Sequence, residues 1–306
     1  MAFALVFPGQ GSQRVGMLSA LHSFDGMSRL LDAAEGLSEM PLRSIAEEGP
    51  AAELADTRAA QPLLFLADWA WGRSIINAGA RPSALAGHSL GEFAALAIAG
   101  VFSVEAGLEL VVARSRLMAV AAEANPGGMA AVLGMDNTIV AQIVRETAGV
   151  WVANDNAPGQ IVVSGTHDGL ERATQALMEA GARRVVPLRV AGAFHSPLME
   201  SAAAAFSREF LSSAAFSDAR IPVISNATPE ASTDAAMLRS RLAMQITSPV
   251  RWTETMGALA EMDICLLAEA GPGGVLTGLT RHVEGLRAVN VEESGVDAVI
   301  EEVAQS

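Results

Sequence analysis

Short, wholly apolar runs alternate along this chain with stretches of helical period, and glycine- or proline-rich breaks separate them. Residues 3–7 form the first apolar run, which predicts a strand entering the loop Pro8-Gly9-Gln10-Gly11-Ser12-Gln13. Helical patterns follow through the thirties, forties and sixties. The turn Arg81-Pro82 then precedes a second apolar run, 84–86, that predicts a buried strand. Residues 90–99 are alanine-rich helix formers, with Gly100 placed to cap their C-terminus. Ser103 is expected to cap a further helix reaching about residue 124, with Glu105 in its first turn. Asn125-Pro126-Gly127-Gly128 breaks the chain after it.

The next stretch has a different rhythm. Residues 129–133 read as strand and 136–147 as helix; 150–153 and 161–163 read as strands around the turn Asn156-Ala157-Pro158-Gly159. Residues 168–180, capped by Asp168, read as helix and 184–190 as strand. This βαββαβ order predicts a ferredoxin-like unit. The earlier pattern then resumes with a helix from Pro197, a strand at 221–225, a helix at 234–245 and a strand at 264–267. The loop Ala270-Gly271-Pro272-Gly273-Gly274 is expected to open a last helix. The predicted fold is therefore α/β, a large domain with a parallel sheet (1–126 and 192–306) carrying an inserted small subdomain (127–191), with ligands bound in the cleft between them.

Within that frame Gly87-His88-Ser89-Leu90-Gly91 lies between a strand and a helix, the setting of a nucleophile elbow. The glycines permit the sharp turn, Ser89 takes its tip, and the N–H groups of the following helix face the reacting carbonyl. A serine nucleophile needs a base, and the chain holds five histidines. His22 lies in a polar N-terminal connection and His167 in a turn beside Asp168, and His282 follows Arg281 near the C-terminus, where it is expected at the solvated surface. His88 precedes the serine, which turns its side chain away. His195 stands in the loop 191–197 at the junction of the two parts, as a cleft base or as a structural histidine.

On a helical wheel, Glu105, Glu109, Arg116 and Glu123 share one solvated stripe of the 103–124 helix. Arg114 falls opposite, among Leu110, Val111, Leu117 and Met118. A guanidinium there needs a partner, either an internal salt bridge or the carboxylate of a ligand.

Composition narrows the chemistry. The net charge is −14 and every one of the 20 basic Lys/Arg side chains is arginine. Schiff-base and Walker-type lysines are excluded, and a broad nucleic-acid surface is disfavoured. Tyrosine is absent, so no phenol can serve as acid. The single cysteine, Cys265, sits in an apolar run and is expected to be a buried packing residue, with no internal disulfide possible. The N-terminal apolar stretch, 1–7, stops at Pro8 without a basic leader and reads as neither signal peptide nor membrane span. A soluble, cytoplasmic protein is expected.

Phe7-Pro8-Gly9-Gln10-Gly11-Ser12-Gln13, Gly87-His88-Ser89-Leu90-Gly91-Glu92, Arg114, Phe194-His195-Ser196 and Glu269-x-Gly-Pro-Gly occur in this order. Together they resemble the malonyl-CoA:acyl carrier protein transacylase family, which includes the acyltransferase domains of polyketide synthases. The resemblance implies an α/β-hydrolase-like core with a ferredoxin-like subdomain. It implies Ser89 as nucleophile, His195 as base, and the backbone N–H groups of Gln10 and Leu90 as oxyanion hole. It also implies Arg114 as receptor for the malonyl carboxylate and a backbone carbonyl, here of Gln245, orienting the histidine. Asn154 and Asn156 match asparagines of the family's small domain. Phe194 is expected to narrow the pocket toward malonyl over methylmalonyl.

The implied reaction moves malonyl from CoA to the phosphopantetheine thiol of an acyl carrier protein, in two steps and with no cofactor or metal. A monomer that meets its carrier transiently is expected. Arg183, Arg184 and Arg189, with Arg281 and Arg287 as a second group, are candidates for docking an acidic carrier. A polyketide acyltransferase acting in trans and the malonyl-transfer subunit of a malonate decarboxylase share the same chemistry. A serine hydrolase or thioesterase would need an acidic triad residue between Ser89 and His195 and no arginine in the acyl pocket. A binding protein with a vestigial site would need none of these residues intact.

Overall fold

The computed structural model describes residues 2–305; Met1 and Ser306, the outermost residues of the expected large domain, lie outside it. Strand β1 (Phe3–Phe7) is wholly buried and leads through a short 3-10 turn to the helices α1 (Met27–Ser38), α2 (Leu42–Glu48), α3 (Ala51–Leu54) and α4 (Thr57–Asn77). β2 (Ala84–Gly87) and α5 (Gly91–Ala99) follow, and Gly100 closes α5 with φ +81°. Ser103 caps α6 (Val104–Ala124) by accepting the Ala106 N–H at 3.2 Å.

Four strands and two helices come next: β3 (Gly128–Leu133), α7 (Asn137–Glu146), β4 (Val150–Ala157), β5 (Gln160–Gly165), α8 (His167–Glu179) and β6 (Arg184–Pro187). The chain continues with α9 (Glu200–Phe206) and a π turn, β7 (Val223–Ile224), β8 (Ala231–Ser232), α10 (Ala235–Met244), β9 (Val250–Arg251) and α11 (Trp252–Glu261). It ends with β10 (Leu266–Glu269), α12 (Val275–Thr280), β11 (Arg287–Asn290), α13 (Val291–Ser294) and α14 (Val296–Gln305).

The strands form two sheets. The larger has the order β11-β10-β1-β2-β7-β8 and is parallel except for the edge strand β8. Its central strands are continuous apolar runs because helices cover both faces. One face packs on α4, α5 and α6 around Phe65, Phe93 and Phe206, and the other is covered by α11 and α12 around Trp252. The smaller sheet has the order β6-β3-β5-β4-β9, antiparallel in its first four strands, with α7 and α8 packed on its own apolar core. Those four strands and two helices have the predicted βαββαβ order.

Several local expectations are corrected. The smaller sheet is not confined to the inserted stretch, because β9 pairs in parallel with β4 through Asn154 and Asp155. The loop 270–274 opens α12, which is not the last helix; the edge strand β11 and two further helices, α13 and α14, follow it. Thr166 rather than Asp168 caps α8, its hydroxyl accepting the Gly169 N–H. Asn156 belongs to β4, and Pro158-Gly159 alone makes the turn. The strand predicted over 184–190 stops at Pro187, with the Leu188 N–H making one last bond to the Met129 carbonyl at 2.9 Å. Cys265 is half-buried rather than buried. No helix among the described residues is long and apolar enough to cross a membrane.

Candidate active site

Ser89 stands at the C-terminal edge of the parallel sheet, between β2 and α5, with φ +51°. The glycines around it are required by contact as well as by the turn. A Cβ on Gly87 would fall 2.0 Å from the Gly91 carbonyl carbon, and one on Gly91 would fall 2.1 Å from the Phe7 oxygen. A Cβ on Gly9 would meet the His88 carbonyl oxygen at 2.4 Å, so the loop after β1 lies directly on the elbow and carries Gln10 to it. A left-handed serine persists only where its surroundings hold it. Here the Ser89 N–H donates to Asn226 Oδ1 at 2.6 Å, Asn226 Nδ2 donates to the Gly87 carbonyl at 2.5 Å, and Gln245 Nε2 donates to the Ser89 carbonyl at 2.9 Å.

His195 reaches the serine from the loop between β6 and α9. Its Nε2 lies 2.8 Å from Ser89 Oγ, and its Nδ1 lies 3.0 Å from the Gln245 carbonyl and 3.1 Å from that of Ser248. Carbonyl oxygens only accept, so Nδ1 carries the proton and Nε2 offers its lone pair to the serine hydroxyl. Burial, reinforced by the Arg114 charge, holds the imidazole down to about 3, well below its ordinary value. The ring is neutral near pH 7, the form a base needs.

Arg114 is 1 % exposed, on the buried face of α6. Its Nη1 donates to Gln61 Oε1 at 2.6 Å, and its Nη2 donates to Ser89 Oγ and Gln245 Oε1, each at 3.1 Å. The guanidinium also lies over the Phe93 ring, 5.6 Å from its centroid. These partners are amides, a hydroxyl and a ring; the internal salt bridge considered for Arg114 does not form among the described residues. Burial lowers its pKa to about 10, with Glu92 opposing the shift, and the group stays charged. A buried cation without a carboxylate is costly unless a ligand supplies one.

A cavity of about 340 Å³ opens over these groups, lined by Gln10, Ser89, Leu90, Arg114, Phe194 and His195 among others. The Ser89 N–H is taken by Asn226, whereas the N–H groups of Gln10 and Leu90 donate to no protein acceptor among the described residues. Both N–H groups are therefore open to a ligand acceptor. His88 turns from Ser89 as its spacing suggests, but stays in the cavity wall. Its Nε2 lies 2.8 Å from Asn156 Oδ1 and 3.5 Å from Asn154 Nδ2, which places the smaller sheet against the elbow. His22 pairs with Glu47 at the surface, and His282 is exposed. Glu269, at the end of β10, accepts the N–H groups of Leu276 and Thr277 at 3.0 and 2.7 Å, which anchors the Glu-x-Gly-Pro-Gly loop to α12.

Sequence reasoning brought Ser89, His195, Arg114, Gln10, Leu90, Gln245, Phe194, Asn154 and Asn156 to this place, and the structure gathers all nine around the elbow. It missed Asn226, Gln61, Glu92 and Ser248. Glu92 had a signal, being the one charge in the apolar run 90–99; Gln61 follows Thr57-Arg58-Ala59-Ala60 at the start of α4 and had none. Asn226 follows a strand that ends beside the nucleophile's strand, which only the strand order reveals.

Residues 4–298 match the acyl transferase domain family. This chain belongs to that family. The acyl transferase is 40 % identical over 285 residues to the malonyl CoA-acyl carrier protein transacylase of Bacillus subtilis, covering 92 % of this chain and 90 % of the relative. Its fold superposes on the acyl-carrier-protein S-malonyltransferase of Burkholderia pseudomallei with a TM-score of 0.92 and 37 % identity, covering 98 % and 100 % of the two chains. The acyl transferase is likewise similar to a malonyl-transacylase solved in complex with a type II polyketide acyl-carrier protein, with a TM-score of 0.92 and 36 % identity over the whole of both chains.

Proposed function

We propose that this acyl transferase moves a malonyl group from CoA to the phosphopantetheine thiol of an acyl carrier protein in fatty acid synthesis. The observation that carries this reading is the Arg114 guanidinium, buried without a carboxylate and 3.1 Å from Ser89 Oγ. A thioester whose acyl group ends in a carboxylate completes that pair; a monoacid leaves it open.

His195 Nε2 takes the Ser89 proton as Oγ attacks the thioester carbon. The Gln10 and Leu90 N–H groups hold the oxyanion. Collapse expels the CoA sulfur, which leaves as the thiol with the proton from His195. The carrier thiol then gives its proton to His195 and attacks the Ser89 ester; Ser89 Oγ leaves with that proton from His195, and the malonyl group departs as a new thioester. Ester and thioester are close in free energy, so the exchange needs no nucleotide, metal or other cofactor, only a site that disfavours water. A carbonyl in place of a triad acid suffices to hold the histidine tautomer, and the hydrolase alternative loses its expected acidic partner on His195. The reading takes the protein as a cytoplasmic monomer that meets its carrier transiently, and the use of CoA thioesters supports that location. A polyketide carrier is the second reading, favoured by the similarity to a transacylase solved with one.

Intact mass after mixing with malonyl-CoA tests the proposal. A malonyl adduct lost in Ser89→Ala and discharged by a phosphopantetheinylated carrier protein is the expected result. Hydrolysis without transfer to any carrier would overturn it.

A further inference from the structure

Glu92 stands three residues after Ser89 and is 1 % exposed. Among the described residues it makes no ion pair. Its Oε2 accepts Gln245 Nε2 at 2.7 Å and the Asn226 N–H at 3.3 Å. Both donors are central to the site. Gln245 gives its backbone carbonyl to His195 Nδ1, its side-chain oxygen to Arg114, and a second contact of Nε2 to the Ser89 carbonyl. Asn226 holds the Ser89 N–H. The nucleophile, the base and the buried cation therefore all reach this carboxylate through one intervening residue.

We propose that Glu92 is a positioning residue that serves as the acid of a serine triad at one remove, acting on His195 through Gln245 and offsetting the charge of Arg114 without touching it. The inference rests on the transacylase reading above. An acid in direct contact with His195 would also stand beside Arg114 and compete with a substrate carboxylate for it. An amide between acid and dyad avoids that competition. Arg114 then meets no carboxylate before the substrate's, its present partners being neutral, while part of its repulsion on a developing imidazolium is cancelled. During attack the negative charge moves from Ser89 Oγ to the carbonyl oxygen, so the guanidinium would otherwise oppose the proton on His195 with no anion beside it.

The charged and titratable groups around the dyad are Arg114 from α6, Glu92 from α5 and His88 from the elbow. Burial raises the Glu92 carboxyl above its usual range, while its hydrogen bonds and the Arg114 charge act against that shift. The same pair acts in reverse on Arg114.

The test is single-turnover acylation of Glu92→Gln by malonyl-CoA, with urea unfolding of the same preparation. Glutamine keeps an acceptor oxygen for Gln245, removes the charge and puts an amide NH2 in place of Oε1. The maximal rate should fall about 10- to 100-fold, the order found for groups that orient metal-bound histidines. KM should stay equal or fall, because Arg114 is less offset. A structural defect would instead raise KM or lower stability along with the rate. Any other pattern overturns the proposal: wild-type constants, a raised KM, or a loss that follows stability.

Arg114→Ala/Glu92→Gln, which removes both charges and so does not rely on folding around one of them, supplies the second measurement. With acetyl-CoA, Glu92→Gln should cost less than about threefold in the Arg114→Ala background, and an undiminished cost overturns the charge argument. Wild-type acylation separates the two readings. No malonyl adduct would sink the transacylase assignment itself, whereas a normal adduct with an unaffected Glu92→Gln would sink only the role of Glu92.

Discussion

Ser89 and His195 both hold left-handed backbone conformations, with φ of +51° and +57°, and their side chains meet at 2.8 Å. Neither residue adopts this conformation freely, and each costs on the order of 1 kcal/mol over a right-handed one. The site is held together against that cost by Asn226 and Gln245 at the serine and by two carbonyls at the histidine. Ser89→Gly and Ser89→Ala should both abolish acylation, but Ser89→Gly should be the more stable of the two by about 1 kcal/mol. Urea unfolding of the two variants measures this, and equal stability would show that the elbow carries no strain.

The depressed His195 gives a pH signature with a definite sign. The ordinary value of 6.5 applies when the chain is unfolded, and about 3 applies in the folded site. Between these values the unfolded state binds the extra proton, so His195 contributes full stability above about pH 6.5 and loses it progressively as pH falls toward 3. Wild type should therefore lose stability from pH 7 to pH 5 more steeply than His195→Gln. Its acylation rate should show no acid limb from His195 over the same range, while His195→Gln should acylate several orders of magnitude more slowly. Parallel stability profiles for the two proteins would contradict the neutral, buried imidazole.

The elbow was legible from sequence because every constraint on it is local: a four-residue buried strand, two contact-limited glycines and an apolar helix lie within fifteen residues of Ser89. Arg114 was legible as an anomaly on an amphipathic wheel, although its partners were not, since Gln61 and Gln245 lie 53 and 131 positions away. Asn226 escaped for the same reason, its 137-position contact being set by the pairing of β2 with β7. The C-terminal strand and helices were lost because β11 is half-exposed and mixed in character, Arg-Ala-Val-Asn, with no apolar run to mark it. β9 is two residues long and becomes a strand only by joining β4.

Phe194 is 5 % exposed and lines the cavity beside the dyad. Its ring fills space that an α-methyl on the acyl group would need. One methyl changes selectivity by about 1–3 kcal/mol in such a pocket, so exclusion is partial. Phe194→Ser should shift competition between malonyl-CoA and methylmalonyl-CoA at least tenfold toward the latter. An unchanged product ratio would place the selectivity elsewhere in the cavity.

The structure divides the arginines considered for carrier docking. Arg189 lines the active cavity, and Arg281 directly follows α12, whose Val275, Leu276 and Leu279 also line it. Arg183 and Arg184 stand at the opposite end of β6, and Arg287 is paired with Glu302. Charge reversal at Arg189 and Arg281 should therefore raise KM for the proposed carrier protein well above any change for malonyl-CoA. Reversal at Arg183 and Arg184 should matter less. Equal effects on both substrates, or a dominant effect at Arg183 and Arg184, would move the docking surface away from the cavity mouth.

Arg114 should decide between diacid and monoacid substrates. A malonyl carboxylate entering this pocket loses its hydration, and the planar guanidinium fork, already aimed at Ser89 Oγ, replaces it with charge-assisted bonds. Truncating one partner of such a buried pair costs about 3–5 kcal/mol, or roughly a few hundred- to a few thousand-fold. An acetyl group brings no charge, and for it the buried cation beside His195 is a liability. Arg114→Ala should lose malonyl transfer by that factor while acetyl transfer is kept or improved. Arg114→Lys should recover only part of the loss, because an ammonium cannot supply the planar fork that meets a carboxylate with two parallel bonds. The measurement is kcat/KM for malonyl-CoA and acetyl-CoA on each variant. If both constants fall by the same factor, Arg114 holds Gln61 and Gln245 in place and the acyl carboxylate binds elsewhere.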